Sequence, residues 1–322
     1  MTIYDIAKML GISPATVSMA LGGDVRVALK TRERVKAFAA EHGFTVDENA
    51  RNFRLKKSSL VAVVVHNIAT GFWAGVVKAI EDELGESHSV ILCNSDGDLD
   101  KERKLVKTLV SRRVSGLIIT PASMKSLEHL VALNRSAVPV VLFERTDEPS
   151  LSFVKGDDYE AARAAVREFA EGGHTRIAML TFKTEVVGAY DRIRGFKDAI
   201  AEQGIEKGCL VFPEDNSVEA FLPQARNFSA AICLDDSLVF PLLRALKAVS
   251  LSVPDDIAIL CWSNSPFLDY LYPPVSSFAI PVKEMGAEAA KAILAQLNGS
   301  IFLTRKLIPE KIFHRCSYRR LE

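Results

Sequence analysis

Nothing in this chain of 322 residues reads as a membrane span, because no apolar run approaches the ~20 residues such a helix needs. The opening MTIYDIAKML also lacks the charged-then-apolar order of a signal peptide, so the expected compartment is the cytoplasm. Cysteine is sparse. The five thiols, Cys93, Cys209, Cys233, Cys261 and Cys316, are odd in number and never form a C-x-x-C pair, which suits a reducing compartment and argues against a zinc centre. They read as buried apolar residues. The six histidines are scattered, and the chain has no G-x-x-x-x-G-K-[ST] phosphate loop, no G-x-S-x-G elbow and no H-E-x-x-H helix. An enzyme is therefore not expected, and neither is a metal or a cofactor. Net charge is missing too, with 40 Lys+Arg against 40 Asp+Glu. At first sight that speaks against nucleic acid, whose phosphates need clustered cations.

The sum conceals an asymmetry. Up to Ser58 there are 10 basic residues (Lys8, Arg26, Lys30, Arg32, Arg34, Lys36, Arg51, Arg54, Lys56, Lys57) against 6 acids (Asp5, Asp24, Glu33, Glu41, Asp47, Glu48), so this stretch carries +4 and the remainder −4. A small basic head on a larger acidic body fits a DNA-reading module attached to something else. Within the head, Thr2 and Asp5 form a capping pattern, and Ile3, Ile6, Ala7 and Leu10 fall at helical spacing before Gly11 ends the helix. Ser13 is a good N-cap and Pro14 suits the first helical position, so a second helix starts after the short turn of a helix-turn-helix, with Val17 and Leu21 facing inward. A third helix is predicted from Leu29 to His42, with Val35, Phe38 and Ala39 on one face and Gly43 as its stop. The competing reading of the same pattern is a generic three-helix bundle.

From Leu60 the rhythm changes. Apolar runs at Leu60–Val65, Ser89–Cys93, Gly116–Thr120 and Val138–Phe143 alternate with amphipathic stretches such as Gly71–Leu84 and Lys101–Arg113. The pattern restarts at Arg176–Leu180, Ala230–Leu234 and Asp256–Leu260. Such alternation predicts an α/β body of parallel sheets with crossover helices, in two lobes. Ligands of open α/β sheets sit beyond the carboxyl ends of the strands. Charge-rich stretches such as LDKERKLVKTLVSRR are read as solvated faces plus a dimer surface.

The stretches IYDIAKMLGISPATVS, VALKTRERVKAFAAEHGF and NARNFRLKKSSLVAVVV resemble the amino-terminal region of the lactose-repressor (LacI-type) family of bacterial transcription regulators. The resemblance continues through RRVSGLIITP, GGHTRIAML, DRIRGFKDAI, VPDDIAIL, YPPVSSFAIP and IPEKIFHRCS. It implies a helix-turn-helix head over 1–46, a hinge helix and linker over 47–58, and a two-lobed periplasmic-binding-protein-like (type I) sensor over 59–322. Lobe 1 is expected at about 59–156 and 280–310, lobe 2 at about 157–279 and 311–322. The implied function is sequence-specific, repressor-type regulation by a homodimer on a near-palindromic double-stranded operator, controlled by a small polar effector such as a sugar. A dimer rather than a tetramer is expected because no heptad tail follows the last predicted strand. The competing reading is a ligand-binding sensor with weak or non-specific DNA binding that acts through a protein partner.

Carried over residue by residue, the resemblance places Tyr4, Ser13, Pro14, Ala15, Thr16, Ser18 and Met19 on the DNA side of the head. Pro14, Ala15 and Met19 fall where relatives contact bases, and Thr16 and Ser18 where phosphates are held. Met19 is a departure, since many relatives have an arginine there that grips guanine with two hydrogen bonds. Apolar contact with thymine methyls remains. In the hinge, Asn49, Ala50, Arg51, Phe53 and Arg54 are the expected contacts, with Phe53 as a minor-groove wedge that makes flexible base steps easier to bind. The alternative for Phe53 is an apolar anchor of the hinge on the body.

For the effector, the resemblance points to Phe72 and Trp73 as an apolar wall, Glu144 as an acidic position, Arg192 as the gripping cation, and Asp235, Trp262 and Ser263 at strand ends. The bland reading of Phe72 and Trp73 is packing at a helix start. Two departures weaken a sugar assignment. Cys261-Trp262-Ser263-Asn264 stands where many relatives have G-[FY]-D-D, so a bidentate acceptor is lost, and near Asn216 a stacking aromatic is missing. The effector is then less hydroxyl-rich, anionic, or absent.

Overall fold

A computed structural model describes residues 1–44, 58–144, 148–181, 189–211, 218, 220–263 and 265–321. The chain divides into two compact units, Met1–Ser58 and Ser59–Glu322.

In the first unit, helix α1 (Ile3–Leu10) opens with a capping box: the Asp5 N–H donates to the Thr2 hydroxyl, and the Thr2 backbone N–H donates to the Asp5 carboxylate at 2.7 Å. Gly11, at φ 67°, turns the chain in the left-handed region that strains any residue with a Cβ. Helix α2 (Pro14–Leu21) follows at once, its first turn held by the Thr16 N–H donating to Ser13 Oγ at 3.0 Å. Helix α3 (Leu29–Glu41) closes the bundle, with Gly43 again at positive φ. Ile6, Ala7, Leu10, Val17, Ala20, Val27, Val35 and Ala39 form the core. Each fully buried Val, Leu or Ile contributes about 1.5–3 kcal/mol of transfer free energy, which is what a unit this small lives on.

The second unit alternates strand and helix through β1 (Leu60–Val65), α4 (Gly71–Leu84), β2 (Ser89–Asn94), α5 (Leu99–Ser111), β3 (Gly116–Ile119), α6 (Glu128–Arg135), β4 (Val140–Phe143) and β5 (Ser152–Gly156). It continues with α7 (Asp158–Glu171), β6 (Arg176–Leu180), α8 (Ala189–Glu202), β7 (Lys207–Val211), β8 (Ala230–Cys233), α9 (Asp236–Ala248), β9 (Ala258–Trp262) and β10 (Ser276–Ala279). Helix α10 (Val282–Leu297), β11 (Arg305–Ile308) and β12 (Lys311–Phe313) complete it. Among the described residues there are two six-stranded sheets, ordered β11-β5-β4-β3-β1-β2 and β12-β10-β9-β8-β6-β7, parallel throughout except that β12 runs antiparallel to β10. The central strands β1, β3 and β4 of the first sheet are buried on both faces, as the middle of a parallel sheet requires, whereas the edge strands β2 and β11 are partly exposed. Val61, Val63, Ile118, Val141 and Phe143 pack with α4, while Ala62, Val64, Leu117, Ile119 and Leu142 pack with α5 and α6.

The chain passes between the sheets three times, after β5, after β10 and after β11. Each passage leaves from the carboxyl end of a strand, so the carboxyl ends of the two sheets face the same inter-lobe region. That geometry positions the site.

Four local readings need correction. Of the five thiols only Cys233 and Cys261 are buried, while Cys93 and Cys209 are half-buried and Cys316 is exposed. Strand β9 covers Ala258–Trp262 rather than 256–260, because the Asp256 carboxylate accepts from the Ser252 backbone and hydroxyl and holds Asp256 in a turn. Strand β4 starts at Val140 rather than Val138, since Pro139 has no N–H to pair. The polar residues of α5 are not all solvated: Glu102 is fully buried, accepting from the Ala122 N–H at 2.5 Å and lying 2.8 Å from His129 Nε2.

Candidate functional site

The first site is the exposed side of α1 and α2. Tyr4 is 74% exposed, and Ser13 and Ala15 face solvent as well. Pro14, Thr16 and Ser18 are half-buried. Thr16 is fixed by its neighbour, its Oγ1 lying 2.8 Å from Ser13 Oγ. The amino end of α2 therefore presents a rigid hydroxyl pair beside backbone N–H groups, an arrangement that suits an anionic phosphate oxygen. Met19 is half-buried against the head core with Ile12 and Leu21, so only part of its side chain is free. Asn49, Ala50, Arg51, Phe53 and Arg54 lie outside the described residues.

The second site is the inter-lobe region at the strand ends. Phe72 and Trp73 open α4 and meet edge-on with ring centroids 4.9 Å apart, and Trp73 leans on Phe143 at 5.7 Å. Trp73 is buried and Phe72 half-buried, so the pair serves the core and walls the strand ends at once. Glu144 follows Phe143 with φ 64°, a left-handed conformation that turns its side chain away from the β4 ladder. Its Oε1 accepts weakly from the Gly156 N–H at 3.4 Å.

Arg192, on α8, does not reach into open space. Its Nε donates to Asp158 at 2.6 Å, its Nη1 donates to the Leu234 carbonyl at 3.4 Å, and its guanidinium carbon lies 4.9 Å from the Trp262 ring centroid. Trp262 sits inside β9 rather than beyond it. It is 1% exposed, stacks on Phe278 at 4.2 Å, and donates through Nε1 to Glu310 at 2.8 Å. Glu310 closes over Gly156, where a Cβ would lie 2.6 Å from its Oε1. A side chain at 156 would push the Glu310 carboxyl from this position.

The electrostatics follow from this crowding. Burial, and then the charge of Asp158, push the Glu144 carboxyl up to about 8, against the pull of Arg192. Burial and Asp158 also push Glu310 up to about 8, with Arg192 and the Trp262 indole opposing. Lys155 is matched by Asp191, with which it forms an ion pair from β5 to α8. At the end of β8, Asp235 caps α9 by accepting from the Ser237 N–H at 2.9 Å, and burial raises its carboxyl. Ser263 donates to Asp236 at 3.1 Å and accepts from the Ser265 N–H at 3.0 Å, so its hydroxyl is engaged within the loop.

The structure thus brings Glu144, Arg192 and Trp262 into one cluster, with Phe72 and Trp73 adjoining through Phe143, and sets Asp235 and Ser263 at neighbouring strand ends. Sequence reasoning missed Asp158 and Glu310, the two carboxylates that define the cluster. Their location in connecting segments was the available signal, since both passages start at strand carboxyl ends.

Comparison with known proteins gives matches to both units. Residues 2–47 match the family described as "Bacterial regulatory proteins, lacI family", and residues 166–318 match "Periplasmic binding protein-like domain". Over 304 residues the chain is 31% identical to the HTH-type transcriptional regulator DegA of Bacillus subtilis (strain 168), covering 89% of this chain and 88% of that protein. It is 29% identical over 312 residues to Catabolite control protein A of Priestia megaterium, covering 92% of each. The fold is similar to that of the lac repressor dimer bound to operator and the anti-inducer ONPF, with a TM-score of 0.87 over 98% of each chain at 22% identity.

Proposed function

Because the chain belongs to the lacI family of bacterial regulatory proteins, we propose that it represses transcription as a homodimer on a near-palindromic operator, with operator affinity set by a small effector held between the lobes. One observation carries this reading: a single chain joins a capped helix-turn-helix to a two-sheet body whose strand ends converge on a cluster of ionisable groups. The first part is built to hold phosphates and approach a groove. The second is built to respond to a ligand's charge or hydrogen bonding. No helix among the described residues is long and apolar enough to cross a membrane.

In this reading α2 lies in the major groove. Pro14, Ala15 and the free part of Met19 touch thymine methyls, while Ser13, Thr16, Ser18 and Tyr4 hold the backbone. A bidentate base contact supplies roughly 1–3 kcal/mol of discrimination, and this head offers none from α2. Specificity is then shared with the hinge, where Phe53 wedges a central step and Asn49, Ala50, Arg51 and Arg54 line the minor groove. In the body, Phe72, Trp73, Glu144, Arg192, Asp235, Trp262 and Ser263 border the effector.

Selection of bound sequences from a random duplex library, at moderate salt with the full chain and no ligand, tests the proposal. A near-palindrome with a flexible central step supports it. Specific binding adds roughly 10³–10⁷ over random DNA, so less than tenfold enrichment refutes sequence-specific repression and favours a sensor that works through a protein partner.

A further inference from the structure

The cation expected to grip the effector is already engaged by the protein. Arg192 is held by Asp158, by the Leu234 carbonyl and by the Trp262 ring face, and its charge is already matched by that of Asp158. Acids outnumber it. Glu144, Asp158 and Glu310 surround this one guanidinium, Asp235 and Asp236 stand at the end of the adjacent strand, and Lys155 shares Asp191 with the half-exposed Arg194. Among the described residues the strand ends therefore form an acid-rich cleft, in which Glu144 and Glu310 hold protons that a bound cation would displace.

Two further observations point to a ligand. Thr120, one residue past β3, is fully buried, and its Oγ1 has no hydrogen-bond partner, an arrangement that is unfavourable when nothing fills it. By strand alternation Thr120 lies on the face of Ile118, and the β3–β4 register puts it opposite Phe143, the residue before Glu144. The second observation is the aromatic wall of Phe72, Trp73 and Phe143, whose last member immediately precedes Glu144 in the chain. Aromatic faces next to carboxylates hold organic cations, by the ring quadrupole on one side and charge on the other.

We propose that the inter-lobe cleft takes a small organic cation, an amine or quaternary ammonium with an apolar flank, whose charge lies between Glu144 and Glu310 and whose flank rests on Phe72 and Trp73. This inference rests on the reading above that the cleft is the effector site. It departs from a sugar or an anion, and the absence of an acceptor at Ser263 agrees with it, because a cation with few hydroxyls does not need one. The raised carboxyls add a consequence: a bound cation favours their ionised forms, so binding releases protons to the buffer.

Two matched sets of probes test the charge preference on the full chain: benzylamine, benzyl alcohol and benzoate, and glucosamine, glucose and glucuronate. Thermal denaturation at millimolar probe, and calorimetry in two buffers of different ionisation enthalpy, are the readouts. The amine of at least one set is expected to raise the melting temperature and to release protons, and its neutral and anionic partners are not. Glu144→Gln and Glu310→Gln should each weaken amine binding about tenfold, the loss of roughly one charge-assisted contact. Both substitutions keep size and stand in for the protonated carboxyl, and their own melting curves confirm folding. Stronger stabilisation by a neutral or anionic member, or none by either amine, overturns the inference. Operator affinity measured alongside separates the two readings: an affinity that responds to glucose or glucuronate keeps the regulator and removes the cation. Amine binding without any specific operator does the reverse.

Discussion

Raising the pH from 6 to 9 should destabilise the two-lobed unit through Glu144, and Glu144→Gln should remove most of that loss. Burial and the neighbouring Asp158 charge lift this carboxyl from its ordinary 4.5 to about 8. Below about pH 4.5 the folded and unfolded states both hold the proton, and the group is silent. Between 4.5 and about 8 the folded state keeps a proton that the unfolded state has released, so stability falls as pH rises, and above about 8 the loss is complete. The window from pH 6 to about 8 spans roughly two units, or about 2.7 kcal/mol for one carboxyl at 1.36 kcal/mol per unit. Repulsion within the cluster belongs to the carboxylates jointly and is counted once, and solvent reaches half-buried Glu144, which leaves about 1–2 kcal/mol for the single substitution. In a unit of this size that is a melting-temperature difference of about 2–8 °C. The assay is thermal and urea denaturation of the wild type and Glu144→Gln at pH 6, 7, 8 and 9, with the difference between them isolating this group from other titrations. Parallel stability profiles would show that Glu144 ionises as an ordinary surface acid, and the account of the cluster would fail.

Ser13→Ala removes the acceptor for the Thr16 N–H and should cost the head about 1 kcal/mol, seen by circular dichroism, together with weaker operator binding. Ser13→Asp restores the cap and the stability but places a negative charge beside phosphate, so DNA affinity measured by titration should stay low. Recovery of both would mean that the hydroxyl faces no phosphate. Arg192→Met leaves Asp158, which is 2% exposed, without its counter-charge and should destabilise the second unit by about 3–5 kcal/mol at neutral pH. A wild-type melting curve for this variant would contradict a structural role for the pair. Glu102→Ala strands the Ala122 N–H and His129, with an expected loss of about 1–3 kcal/mol by urea denaturation, whereas Glu102→Gln should retain most of the stability.

The head was legible because its signals are local. Thr2, Asp5, Gly11, Ser13 and Pro14 act within one helical turn, and each does in the structure what its chemistry dictates. The strand rhythm of the body was legible for the same reason, since a run such as Leu60–Val65 can bury both faces only inside a parallel sheet. Errors arose where a distant or side-chain partner decides. Asp256 left its predicted strand for hydrogen bonds to Ser252, and that shift moved Trp262 from a strand end into the core. Glu102 looked solvated in the charge-rich stretch LDKERKLVKTLVSRR and turned inward to a backbone N–H that no local pattern announces. Arg192 was identifiable, but its occupancy was not, because Asp158 is 34 residues away in sequence and Glu310 lies in the last connecting segment.

Control of DNA affinity from this cleft requires a ligand that distinguishes two arrangements of the lobes, because equal affinity for both shifts nothing however tight the binding. The aromatic wall alone does not supply that difference, since Phe72, Trp73 and Phe143 all belong to the first sheet and its helix and move together. The Arg192–Asp158 pair does not supply it either, joining α8 to the start of α7 within the second lobe. Glu144 is different. It stands at the end of β4, facing Arg192 from across the lobes and Glu310 from the connecting segment, so its separation from both changes with the angle between the lobes. A cation lodged between Glu144 and Glu310 draws protons from both and gains two charged partners only while those carboxyls are close, and it therefore binds the closed arrangement better. A tenfold change in operator affinity needs about 1.4 kcal/mol of such preference, comparable to the about 1–2 kcal/mol that the Glu144 carboxyl alone carries.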